Sequence, residues 1–238
     1  MKSLASNLRR TLFAAICLLT LPGVASAAFL GASATIDQLT PGMSIGVNGY
    51  TFTDFKLTPT ASVNHTPIPP ENFSVTAIAL PNNKVELKFQ FPGVWKEGEF
   101  SEFVLDFTAM APQGYAFMEH GLSFGPVLFG DLSGNPYATI VEKVVPMDPN
   151  STQAPYTLGV FSDPGFTQLV DSKPIVTPAN KLQISKDIQI YGGNGDGPTR
   201  VVLTDFSQTF MGVVPEPTTI GLAMIGLIAV TAVRRNRG

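Results

Sequence analysis

The sequence predicts an all-β domain, an antiparallel β-sandwich or jelly roll, on three observations. Apolar and polar residues alternate along many short segments, the pattern of strands that each bury one face. Pro or Gly turns recur roughly every dozen residues, and no central stretch of about ten residues or more carries the helical period. With 44% hydrophobic and 14% charged residues and a mean hydropathy of +0.20, the chain is too apolar to stay disordered. Its 22 Gly and 20 Pro are more than a helical protein accommodates.

The first 27 residues stand apart from that domain. Lys2, Arg9 and Arg10 precede an apolar run over residues 11–21, then Pro22-Gly23, then Ala25-Ser26-Ala27. Basic, apolar and small-residue regions in that order make a secretory signal peptide. Ala25 and Ala27 supply the small side chains that signal peptidase requires, so cleavage after Ala27 would leave Ala28 as the first mature residue. The only cysteine, Cys17, lies in the discarded run, and the exported domain therefore has no disulfide framework.

Residues 28–212 form the ectodomain. Asn48-Gly49, between strands at 44–47 and 50–57, is a residue pair that tolerates the positive φ of a type I′ hairpin. Pro81-Asn82-Asn83 separates 73–80 from 85–91 in a similar way, and Val85, Leu87, Phe89 and Phe91 alternate with Glu86, Lys88 and Gln90. Further strands are expected at 102–110, 115–124, 137–145, 156–161 and 199–211. Leu182, Ile184, Ile188 and Ile190 alternate as well, and Lys186 interrupts their apolar face, the mark of a bulge or of a strand leaving the core. Long proline-rich connections at 146–155 and 163–178 suit a sandwich better than a small closed barrel. About 185 residues bury enough surface to need no staple.

The ectodomain holds nine Lys and Arg against seventeen Asp and Glu, a net charge of −8. Nucleic acid is excluded as a partner on that balance, since affinity for phosphate backbones rests on basic side chains. Gly42-Met43-Ser44-Ile45-Gly46 has the G-x-S-x-G spacing but no helix signal after the serine, and reads as a turn into an edge strand. His65, Asp106 and Ser133 share the chain order of one serine-protease class, yet Asp106 sits in an alternating strand and His65 in a proline-rich loop. His65 and His120 lack a second His or Cys at ligand spacing, and Glu119-His120 reads as a polar strand edge. No catalytic residue, metal or cofactor is assigned. Asn194 and Asp196, in the Gly-rich loop 192–197, are the candidate oxygen donors for calcium, against a plain hairpin turn. Glu97, Glu99 and Glu102 cluster with Trp95 and Phe100, a combination that suits sugar binding or hydrolysis. Trp95 is the candidate sugar contact, against a loop anchor packed on the sandwich.

After residue 212 the pattern changes. Val214-Pro215-Glu216-Pro217 precedes an apolar stretch over 218–233 and then Arg234-Arg235-Asn236-Arg237-Gly238. Sixteen helical residues reach about 24 Å, so this short transmembrane helix spans a hydrocarbon core of about 30 Å only marginally. Arg234, Arg235 and Arg237 would stay cytoplasmic and leave the domain outside.

The Pro-Glu-Pro element, the Gly-containing apolar helix with Gly221 and Gly226, and the terminal Arg cluster together resemble the PEP-CTERM sorting signal of Gram-negative bacteria. The resemblance implies recognition by exosortase at Pro215, Glu216 and Pro217, release from a transient inner-membrane anchor, and a link to exopolysaccharide or biofilm. The middle resembles an uncharacterised ectodomain type often found with this signal, through residues 50–55, 104–108 leading to Gly114, 121–124, 186–188 and 208–210. The expected organisation is a signal peptide (1–27), a sandwich ectodomain (28–212) and a sorting signal (213–238). The expected function is that of a non-enzymatic protein, exported with signal peptidase and exosortase as partners. It would be held at the cell surface or in the extracellular matrix by exopolysaccharide. A carbohydrate-binding module or a secreted glycan hydrolase are the alternatives.

Overall fold

The alternating segments become strands in the computed structural model, which describes residues 28–130, 134–148, 152–194 and 200–214. The described chain runs through β1 (Ala28–Phe29), β2 (Ser33–Thr35), β3 (Met43–Val47), β4 (Tyr50–Val63), β5 (Ser74–Leu80) and β6 (Lys84–Gln90). There follow β7 (Val94–Lys96), β8 (Phe100–Met110), β9 (Ala116–Phe124), β10 (Val127–Phe129), β11 (Tyr137–Pro146) and β12 (Tyr156–Ser162). The last are β13 (Thr167–Gln168), β14 (Val170–Ala179), β15 (Lys181–Tyr191), β16 (Arg200–Leu203) and β17 (Asp205–Val213). Two short 3-10 turns, at Ile36–Gln38 and Pro70–Asn72, are the helical elements among the described residues.

An eight-stranded sheet in the order β1-β3-β4-β8-β15-β11-β12-β13 faces a six-stranded sheet in the order β14-β9-β17-β6-β5-β2. A third sheet, β10-β16-β7, closes one side. The short β1–β3 pairing is parallel, and the other ladders are antiparallel. Both predicted hairpin turns form. Asn48 (φ 52°) and Gly49 (φ 82°) join β3 to β4, and Asn82 (φ 61°) and Asn83 (φ 56°) join β5 to β6. Positive φ at both central positions matches the twist of the flanking strands.

Alternation then aims one face of each strand inward. Phe103, Leu105, Phe107 and Ala109 of β8, and Leu182, Ile184, Ile188 and Ile190 of β15, pack against Phe206 and Phe210 of β17, Leu87 and Phe89 of β6 and Leu122 of β9. Phenylalanine dominates where the sheets meet. Phe89 lies 5.7 Å from Phe107 across the sandwich and 4.7 Å from Phe206 beside it, while Phe52 of β4 lies 5.5 Å from Phe210. Fully burying one such ring contributes about 2–3 kcal/mol.

Three expectations change at this level. The single strand at 199–211 is two strands, β16 and β17, in different sheets. Burial slips phase at the join, from Val201 and Leu203 to Phe206, Gln208 and Phe210, so the chain crosses from one sheet to the other at Thr204-Asp205. The expected connection at 163–178 holds β13 and β14, the latter an edge strand on β9. Pro174 and Pro178 are tolerated there because one side of an edge strand needs no ladder donors. Lys186 marks neither a bulge nor an exit, because the β15–β8 register runs unbroken from Lys181 opposite Met110 to Tyr191 opposite Phe100.

Candidate functional site

Four core strands each place one polar side chain at an inward position, and the four meet between the sheets. They are Glu142 of β11, Lys186 of β15, His120 of β9 and Gln208 of β17, all 0% exposed. The expectation of a polar strand edge at His120 fails, because β9 lies inside the sheet between β14 and β17 and directs that ring into the core. Glu142 Oε1 is 2.8 Å from His120 Nε2 and accepts from Gln208 Nε2 at 3.0 Å, while Gln208 Nε2 also contacts His120 Nε2. Glu142 Oε2 is in direct contact with Lys186 Nζ. The Tyr156 hydroxyl lies 3.4 Å from His120 Nδ1 and completes the ring's surroundings.

Burial dominates the electrostatics here. It drives the Lys186 ammonium well below its usual range. His120 is likewise pushed well below its ordinary value, by burial first and then by the positive charge of Lys186, with Asp171 opposing. Burial raises the Tyr156 phenol. Three rings, Phe89, Phe107 and Phe206, close around Nζ at 6.0, 5.8 and 5.7 Å. Glu142 and Gln208 were not singled out from the sequence. The available signal was a polar residue on the inward beat, Glu142 among Ala138, Ile140 and Val144, and Gln208 between Phe206 and Phe210.

The cluster around Trp95 resolves differently. Trp95, on β7 in the small sheet, is 0% exposed, donates its indole N–H to Ser101 Oγ at 2.9 Å and stacks on His65 at 5.1 Å. It is the loop anchor and offers no ring face to a sugar, which removes it as a contact residue. His65 Nδ1 in turn lies 3.0 Å from Ser101 Oγ, so it serves the anchor and not Asp106. Glu99 accepts the Lys96 backbone N–H at 2.7 Å, a turn-closing bond. Ser44 lies inside strand β3 and is 2% exposed, with no helix after it.

The outer face of the eight-stranded sheet gathers aromatic and polar groups that the sequence spacing did not associate. Tyr137 and Tyr191 are direct neighbours across β11 and β15, with ring centroids 5.6 Å apart. Phe161 of β12 stands beside them, opposite Thr139, and lies 6.2 Å from Phe166, a ring 60% exposed. A cleft lined by Asn135, Tyr137, Phe161, Asp163, Pro164 and Gly165 opens between them. Asp163 shapes its rim by accepting the backbone N–H groups of Gly165 and Phe166 at 2.7 and 2.6 Å. Two residues further along β15, Gln189 donates to Glu102 at 2.8 Å and to Asp187 at 3.4 Å. Burial and the neighbouring Glu102 raise the Asp187 carboxyl.

Asn194 accepts from the Tyr191 hydroxyl and holds the loop mouth through its N–H to the Gly134 carbonyl at 2.6 Å. Asp196 and Ser133 lie outside the described residues. Among the described residues no group of three His, Cys, Asp or Glu side chains gathers in metal-binding range. Ala25, Ala27, Pro215, Glu216, Pro217, Arg234, Arg235 and Arg237 also lie outside the described residues, as does the apolar segment 218–233. Among the described residues no helix is long and apolar enough to cross a membrane.

Comparison with curated proteins gives no match. Among solved structures the chain is similar to TmCBM61 in complex with β-1,4-galactotriose, at 12% identity and a TM-score of 0.29, over 65% of this chain and 86% of that one. It is similar to a family 11 carbohydrate-binding module from Clostridium thermocellum in complex with a mixed-linked tetrasaccharide, at 10% identity and a TM-score of 0.20, over 78% and 98% of the two chains. The tailspike protein 4 enzymatically active domain of bacteriophage CBA120 aligns at 10% identity and a TM-score of 0.24, over 71% of this chain and 20% of that one. Superpositions this loose carry no argument about ligands. The end of the chain is different, because the family model for the PEP-CTERM protein-sorting motif matches residues 213–237, beginning on the last residue of β17. The protein carries a PEP-CTERM sorting motif behind an all-β body, and is by that motif an exported protein sorted by exosortase.

Proposed function

We propose that this is a non-enzymatic surface or matrix protein, which exosortase releases from a transient inner-membrane anchor and which exopolysaccharide then retains. The observation that carries the reading is the position of the sorting motif at 213–237, adjoining the final core strand β17. Cleavage near Pro215-Glu216-Pro217 would remove the apolar segment and basic tail without cutting into a described strand. The sorting step is tested by replacing Pro215, Glu216 and Pro217 with alanine in the native host. An uncleaved, membrane-associated species is expected, and an unchanged mature mass in the surface and medium fractions would overturn the assignment.

A second reading, a carbohydrate-binding module, is favoured by the outer face of the eight-stranded sheet. Tyr137, Tyr191 and Phe161 offer half-buried rings with apolar faces, and Asn135, Gln189, Glu102 and Asp187 supply hydrogen-bonding groups beside them. Rings flanked by a few polar groups fit the alternating apolar and hydroxyl surfaces of a glycan chain. This reading moves the sugar site from Trp95 to a different sheet.

A further inference from the structure

Glu142 and Lys186 are directly opposed across β11 and β15, so their Cβ atoms are about 5 Å apart, a gap that the two side chains span comfortably when joined end to end. Both are 0% exposed, and Nζ meets Oε2 in the core. Among the described residues neither atom has any other hydrogen-bond partner. A charged pair sealed in an apolar interior pays heavily in lost hydration, and three phenyl rings keep water from Nζ. The arrangement thus presents a nucleophilic nitrogen to a carboxyl carbon whose second oxygen is already held.

We propose that Lys186 and Glu142 are joined by an intramolecular isopeptide bond that the folded domain forms by itself. Burial passes the ammonium proton to Glu142 and leaves a free amine against a carboxylic acid. The Nζ lone pair attacks Cδ of Glu142. Charge develops on Oε1, which His120 Nε2 at 2.8 Å and Gln208 Nε2 at 3.0 Å are placed to stabilise. Oε2 departs as water with the acid proton and one amine proton. One N–C bond forms, one C–O bond breaks, and no oxidant, reductant or cofactor is required. Oε1 remains as the amide carbonyl on the same two neighbours. His120 and Gln208 touch the reacting carboxyl and are the catalytic residues of this step, and the neutral imidazole suits a site that must hold no surplus charge. The product replaces two otherwise unpartnered buried atoms by a covalent cross-link between central strands of the larger sheet. It also gives an exported domain without cysteine a staple that reductants do not cut.

The test is peptide mass spectrometry on the exported protein, denatured and digested with trypsin. The expected result is a branched species joining the peptide over residues 97–143 to that over residues 182–200, lighter than their sum by one water, about 18 Da. A linear peptide ending at Lys186, with the Glu142 peptide at its unmodified mass, would overturn the proposal. A branched species about 17 Da lighter and joined at Gln208 would overturn Glu142 as the acyl donor, since a side-chain amide loses ammonia. Lys186→Arg should yield only linear peptides, and the wild-type digest decides the matter even if that variant does not fold.

Discussion

His120 Nε2 and Glu142 Oε1 meet 2.8 Å apart across the two sheets, both fully enclosed, so a polar contact ties β9 of one layer to β11 of the other. This tie makes folding sensitive to acid. The folded protein holds His120 neutral far below the ordinary value of 6.5, whereas the unfolded chain protonates it near that value. Below about pH 6.5 the unfolded state binds a proton that the folded state refuses, so stability falls as pH falls. At pH 5.5 the loss from this residue is on the order of 1 kcal/mol. Urea unfolding at pH 7.5 and 5.5 measures it, and His120→Gln should flatten the decline by that amount.

Lys186→Met removes the proposed cross-link and leaves Glu142 buried without its amine. A link across the roughly 45 residues between Glu142 and Lys186 restricts the unfolded chain by about 4 kcal/mol. Loss of one partner from a buried pair costs about 3–5 kcal/mol by itself. Equilibrium denaturation should therefore show a loss of at least about 3 kcal/mol, and a change under about 1 kcal/mol would exclude both a bond and a close pair at this position.

Trp95 predicts a pair of effects that separate packing from binding. Trp95→Ala should lower stability by about 3–5 kcal/mol, because the ring fills the space between His65, Phe91 and Ser101. Trp95→Phe should lose only the bond to Ser101 and part of the volume, about 1–2 kcal/mol. Neither should alter retention on a polysaccharide affinity gel while the domain remains folded. Thermal melts alongside affinity electrophoresis check both statements.

Tyr137 and Tyr191 predict the opposite split. Their rings lie on the outer face, so Tyr137→Ala with Tyr191→Ala should abolish retention on a bound glycan, with a stability loss of no more than about 1–2 kcal/mol. Unchanged retention on every glycan that the wild type binds would remove this face as the binding surface.

Local chemistry was enough to read much of this molecule. Alternation identified most core strands, and Asn48-Gly49 and Asn82-Asn83 placed two turns, because strand period and positive φ are properties of neighbouring residues. The sorting motif was legible for the same reason, being a linear signal in one stretch of chain. The failures share a different cause. Lys186 looked like a break in an apolar face and Glu119-His120 like a polar strand edge, and Trp95 stood open between a sugar contact and a loop anchor, since a sequence shows which side chains share a face but not what covers it. Only the packing of β9 and β17 onto β11 and β15 brings His120, Gln208, Glu142 and Lys186 together from positions up to 88 residues apart. The same closure buries Trp95 and leaves Tyr137 and Tyr191 half open, because which face meets the other sheet is decided by long-range strand order, on which local periodicity is silent.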